Sequence, residues 1–179
     1  MKKILLVAAA AAGLVSIAPA FAADGTINIT GAVTSTTCRI NGANSPATIN
    51  VTLPSVSTAA LNAAGRTAGT TPFAIVLSNC SAGINNAVTY FEAGPTIDTA
   101  TGNLRNTTSG GAANVQVSLL NADATKISLQ NAAGSQSSQQ VAIANNGATL
   151  NYFAQYVANG AAAGAGAVTS NVTFSVVYN

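Results

Sequence analysis

The sequence contains no histidine and no tryptophan, one methionine, two cysteines, and only six basic and four acidic side chains in 179 residues. Each scarcity removes a class of chemistry. Without an imidazole there is no Ser-His-Asp or Cys-His machinery and no Cys/His zinc site. A glycosidase needs two carboxylates converging across one bond. Of the four acidic residues, Asp24 lies near the N-terminus and Asp98 and Asp123 fall in turn-like sequence. Glu92 alone sits in a strand pattern, where an outward-facing side chain is the ordinary reading. A Ser-Lys dyad would have to use Lys126, and a single lysine beside a turn is more often a solvated side chain or an edge-strand gatekeeper. No G-K-[ST] triplet occurs, so no phosphate loop is encoded. The sequence therefore predicts a non-enzymatic chain with no cofactor, no metal and no small-molecule substrate.

The first residues belong to export and not to the fold. Lys2 and Lys3 precede an apolar run from Ile4 to about Ile17, and Ala20-Phe21-Ala22 supplies the small-x-small pattern of a leader cleavage site. A secretory signal peptide is expected over residues 1–22, leaving 157 residues, the length of one ordinary domain. The formal charge of +2 comes from Lys2 and Lys3. Beyond them Arg39, Arg66, Arg105 and Lys126 balance Asp24, Glu92, Asp98 and Asp123. No basic face remains to neutralise a phosphate backbone, so nucleic acid is not an expected partner. About a quarter of residues are charged in an average soluble domain, against 6% here. A surface of Thr, Ser, Asn, Gln, Ala and Gly has little self-repulsion and lets identical copies pack closely. In a secreted chain the single pair Cys38 and Cys80 is expected to form one disulfide.

From Thr26 onward the pattern is β. Ile27, Ile29, Gly31 and Val33 share one face of an alternating segment over Thr26–Val33. Ala47–Val56 alternates through Ile49, Val51 and Leu53. Phe73–Leu77, within Thr71–Cys80, reads as a buried strand, and Ala87–Ala93 comes after it. Val115, Val117 and Leu119 alternate, and Ile127 with Leu129 reads as a short partner across an Asn121–Ala124 turn. Leu150–Asn159 and Ser170–Tyr178 complete the set. Period-two alternation punctuated by turn residues predicts an antiparallel β-sandwich. One helical turn is expected at Ser57–Ala64, capped by Ser57 or Thr58 and ended by Gly65. Thr107–Asn114, Gly134–Gln140 and Gly160–Gly166 read as surface loops.

The two termini carry the most specific signals. Val172, Phe174, Val176 and Tyr178 lie on one face of the last strand. The first alternating segment precedes Cys38 and holds Gly31 among β-branched residues, where glycine weakens a strand unless another surface approaches closely. With Gly25–Val33, Thr37-Cys38, Phe73–Cys80, Gly166 as the fourteenth residue from the C-terminus and Tyr178 as the penultimate one, the chain resembles the major subunits of type 1-like fimbriae assembled by the chaperone–usher pathway. The resemblance runs over essentially the whole chain after residue 22, but Asn103–Asn114 and Ser135–Gln140 carry none of its signature.

That resemblance implies an all-β, incomplete immunoglobulin-like sandwich lacking its final strand. It implies an N-terminal donor-strand extension over residues 23–36 and a pilin domain over 37–179. In such a subunit Ile27, Ile29 and Val33 would fill pockets in a neighbour's groove, and Gly31 would cross a pocket too shallow for a side chain. Gly166, Val172, Phe174, Val176 and Tyr178 would border the subunit's own groove. The implied partners are identical or homologous pilins, a periplasmic chaperone that lends a strand first, and an outer-membrane usher. The implied destination is a surface fimbria used in adhesion and biofilm formation, reached through the periplasm. Two other readings are a minor adaptor or tip pilin of the same system and a monomeric periplasmic ligand-binding β-sandwich.

Overall fold

The computed structural model describes residues 27–30, 38–43 and 46–179. The expected leader, and Gly31 and Val33 of the expected N-terminal strand, lie outside the described residues. The chain divides into two compact units, residues 1–33 and 34–179. In the first, residues 27–30 carry no regular secondary structure, and Ile27 and Ile29 are 89% and 90% exposed. An alternating pattern makes a segment fit to be a strand; a ladder partner makes it one.

The second unit is all-β apart from one short helical turn. Its strands are β1 (Arg39–Ile40), β2 (Thr67–Ser78), β3 (Asn86–Phe91), β4 (Leu104–Arg105), β5 (Val115–Asn121), β6 (Gln140–Ala142), β7 (Ala148–Ala158) and β8 (Phe174–Tyr178). Five of them form one sheet in the order β1-β2-β7-β5-β4, and three form another in the order β6-β3-β8. Every pairing is antiparallel. The inward residues are the apolar ones of each alternation. Ile75, Leu77, Val117, Leu119, Leu150 and Tyr152 come from the larger sheet, and Ala87 and Phe91 from the smaller. Tyr152 joins the layers: its ring meets Phe91 edge-on at 5.6 Å and lies 5.5 Å from Phe73. Aromatic pairs in these geometries add to the stabilisation from buried area alone.

The expected disulfide is present between Cys38 and Cys80. It ties the residue before β1 to the end of β2, where Arg39 is already paired with Ser78. Closing a loop of that sequence separation, 42 residues, stabilises by about 4 kcal/mol in the chain-entropy account. The expected helical turn is a 3-10 turn over Thr58–Leu61, and the Ser57 hydroxyl oxygen accepts from the Ala59 amide.

Three expectations need correction. Ala47, Ile49 and Leu53 are half-buried while Val51 is exposed, and Ala47–Val56 is not a strand, because no described strand lies beside it. Ile127 and Leu129 form no strand either. A single bridge joins Leu120 to Lys126, and Ile127 and Leu129 turn into the core and are fully buried. The last strand begins at Phe174 and not at Ser170, because the preceding residues bond to loops and not to β3. The Gly134–Gln140 loop also holds more than surface. Gln136 is buried, accepts from the Phe91 amide and donates to the carbonyls of Phe91 and Leu129. It caps the end of β3, a role that its polar sequence context hides.

Candidate functional site

Between the sheets the sandwich is open along one side. A groove of about 940 Å³ runs there. One wall is residues 46–53 and the other residues 168–174. Phe73, Ile75, Phe91, Val117, Leu119 and Ala154 form its floor, so the groove is bottomed by residues of the core. None of the described residues lining it is charged.

The walls are as informative as the floor. In an extended chain, successive residues point their backbone groups to opposite sides. The carbonyls of Ala167, Thr169, Asn171 and Thr173 all face outward. They accept from the Ala112 amide, the Thr107 amide, the Thr96 hydroxyl and the Glu92 amide, at 2.7 to 2.9 Å. The intervening residues Val168, Ser170 and Val172 make no backbone hydrogen bond to any described residue. The opposite wall, residues 46–53, makes none either. Two unpaired backbone edges thus flank an uncharged apolar floor. A polypeptide strand can satisfy both edges and fill the floor with alternate side chains. The polar side chains along it are the hydroxyls and amides of Thr48, Asn50, Thr52, Tyr156, Thr169, Ser170, Asn171 and Thr173.

One asparagine adds side-chain bonds that tie the wall of residues 167–171 to the loop beside it. The Asn106 side-chain amide donates to the carbonyls of Ala112 and Ala167, and its oxygen accepts from the amides of Thr108 and Thr169. Gly166 starts the same wall. At its φ of +153° the backbone passes so close to the neighbouring loop that a Cβ would lie 2.5 Å from the Ala112 nitrogen. Farther along, the Ser175 hydroxyl donates to Glu92, so the one strand-borne acidic residue of the sequence pattern clips β8 to the end of β3.

A smaller cleft of about 290 Å³ adjoins the groove, lined in part by Val56, Leu61, Val115 and Gly166. Tyr156 and Val168 line both cavities. Tyr156 rests against β2, which bulges between Ala68 and Thr71 around Gly69.

Of the residues singled out in the sequence, Val172 and Phe174 line the groove. Val176 and Tyr178 continue along β8 on the same face, packed against the core. Gly166 borders the smaller cleft and not the groove. Ile27 and Ile29 belong to the first unit, and Gly31 and Val33 lie outside the described residues. Sequence reasoning misses the wall of residues 46–53, Asn106 and Tyr156. The wall has a signal, the Ala47–Val56 alternation, but in the sequence it is indistinguishable from an ordinary strand. Asn106 has none, because a loop asparagine is uninformative until its partners are known.

Comparison with known proteins converges with this geometry. Residues 53–179 match the family model described as type-1 fimbrial protein, A. The chain is 46% identical over 164 residues to the major fimbrial subunit SMF-1 of Stenotrophomonas maltophilia, covering 88% of this chain and 94% of that protein. It is 44% identical over 160 residues to the F17 fimbrial protein of Escherichia coli, covering 87% of each. Among solved structures, an antigen and type I fimbria protein of Burkholderia pseudomallei superposes with a TM-score of 0.56 at 35% identity, covering 86% of this chain and 97% of that one.

Proposed function

The chain belongs to the type-1 fimbrial protein A family, and on that premise we propose that it is a shaft pilin that polymerises by strand exchange. It is a structural subunit exported to a cell-surface fimbria. Each subunit's groove receives residues 23–36 of the next, with Ile27, Ile29 and Val33 turned to the floor and Gly31 between them. Before that, a periplasmic chaperone occupies the same groove, and an outer-membrane usher passes the subunit to the fibre. The observation that carries this reading is the open groove, apolar below and unpaired along both backbone edges. Left empty, such a feature exposes core and invites unspecific pairing. The exposed isoleucines at 27 and 29 support the complementary half, an alternating apolar segment that is not yet a strand.

A monomeric ligand-binding sandwich would have no need of two open backbone edges. The low charge favours a shaft position over an adaptor or tip position, because many identical copies must lie side by side without repulsion. The test is deletion of Ala23–Val33 in cells that carry the rest of the secretion system. The truncated subunit should accumulate in the periplasm, oxidised and folded, and yield no fibres by electron microscopy. Fibres of normal length from the deleted chain would overturn the assignment.

A further inference from the structure

The dipeptide Asn-Gly occurs three times in the sequence, at Asn41-Gly42, Asn146-Gly147 and Asn159-Gly160. Glycine has no side chain to shield its amide nitrogen, and that nitrogen can attack the carboxamide carbon of the asparagine before it. The attack needs a free carboxamide and a free glycine amide in the same place. The fold denies this to two of the pairs. Asn41 is held by β2: its side-chain oxygen accepts from the Val76 amide at 2.7 Å, and its own amide donates to the Val76 carbonyl at 2.8 Å. At the second pair the nucleophile is engaged, because the Gly147 amide donates to the Ala144 carbonyl at 3.0 Å. The Asn146 side chain donates to the Cys80 carbonyl at 3.4 Å, and a Cβ on Gly147 would lie 2.8 Å from the Leu77 carbonyl oxygen, so this turn is packed against β2. The third pair follows the end of β7, and both of its residues are exposed. The Asn159 amide donates to the Asn114 carbonyl at 2.9 Å, which fixes the backbone up to that point. Beyond it, neither the Asn159 carboxamide nor the Gly160 amide makes a hydrogen bond to any described residue. Nothing lies within 4 Å of the place that a Cβ on Gly160 would take.

We propose that Asn159 is a site of spontaneous modification in the folded chain, deamidating to aspartate or isoaspartate while Asn41 and Asn146 are protected. The Gly160 amide nitrogen, on losing its proton, bonds to Asn159 Cγ. The Cγ–Nδ2 bond breaks, and the nitrogen leaves as ammonia with a proton taken up. Water then opens the succinimide ring. Opening at Cγ leaves an aspartate; opening at the backbone carbonyl leaves isoaspartate, with the main chain running through Cγ. Nothing is oxidised or reduced, and no enzyme is needed. Either product bears a carboxylate where a neutral amide stood. Beyond Lys3 the four basic and four acidic side chains balance, so each event gives that chain a net negative charge. The modification itself is independent of strand exchange; its consequence in a fibre rests on the shaft reading given above. Copies that lie side by side uncharged when new come to repel one another as conversions accumulate.

The test incubates the exported chain, recovered with its disulfide intact, in mildly alkaline buffer and locates each gain of one mass unit by fragment mass spectrometry. In the folded chain Asn159 should convert at least about fivefold faster than Asn41 or Asn146, the factor set by having to open one net hydrogen bond first. In the same chain reduced and unfolded in urea, the three pairs should convert at rates within about twofold of one another, because the protection belongs to the fold and not to the dipeptide. Isoelectric focusing of the folded chain should show an acidic species that grows with time, and Asn159→Gln should remove it. The proposal is overturned if the three sites convert equally in the folded chain, or if Asn41 or Asn146 leads. It is overturned equally if Asn159 keeps its mass over the time in which the unfolded chain converts, or if the acidic species grows undiminished in Asn159→Gln.

Discussion

Tyr152 is the largest side chain sealed within the sandwich, 1% exposed, with its hydroxyl 3.2 Å from the Ser138 hydroxyl. Burial raises its phenol pKa above the ordinary value of 10.0. The folded state therefore holds the neutral phenol. This contribution to stability is complete below about pH 10 and is lost as the pH climbs toward the raised folded-state value. The melting temperature should stay level from pH 7 to 9 and fall above about pH 10. Tyr152→Phe should flatten that fall, and an equal alkaline fall in the variant would assign it to other groups. Gly166 offers a second test at this scale. A methyl group there would meet the backbone of Gly111 and Ala112 at 2.5 to 2.6 Å, in a region of φ that L-residues avoid. Gly166→Ala should cost about 1–3 kcal/mol in urea unfolding, and an unchanged midpoint would mean the wall simply moves aside.

Among the elements, the wall of residues 167–173 is unlike the strand it leads into. It is held by loops on one side only, and Asn106 supplies four of its contacts and those of its partner loop. Asn106→Ala should destabilise the subunit by about 2 kcal/mol, given roughly one per net hydrogen bond less partial replacement by water. Hydrogen exchange should quicken at the Thr169 amide before it quickens in β7; uniform loss of protection would show the wall is not a separate unit. Alternation in the sequence marks β2, β3, β5, β7 and β8, because each has an inward face that must be apolar. It cannot tell a paired strand from an unpaired one. Residues 47–53 and Ile27 with Ile29 alternate as β7 does, yet what distinguishes them is a missing neighbour, and a neighbour is not written in the local pattern. The two-residue strands β1 and β4 are invisible for the opposite reason: they exist only because β2 and β5 lie beside them. Gln136 and Asn106 escape notice because polar loop residues reveal their role only through contacts distant in sequence.

At the scale of the molecule, the sandwich is incomplete, nearly uncharged and closed by one covalent bond. Among the described residues the single ion pair is Arg105 with Asp98, half on the surface, so salt should have little effect on monomer stability. The disulfide should matter far more. Reduction, or Cys38→Ser with Cys80→Ser, should remove about 4 kcal/mol and lower the melting temperature by roughly ten degrees, at about 2–4 °C per kcal/mol for a domain near this size. A melting profile indifferent to reductant would contradict that. The position of the bond has a mechanical consequence as well. In a fibre whose subunits are joined through residues 23–36, a pull along the axis enters each domain at its N-terminal segment and reaches Cys38 first. There the covalent bridge carries it across to Cys80, at the end of the twelve-residue strand β2 that is anchored along β7. The bridge carries that pull past the chain that leads from Cys38 to β2, which includes the unpaired wall of residues 46–53. The wall of residues 46–53 thus meets the load delivered by the strand it grips, and not the pull arriving along its own chain.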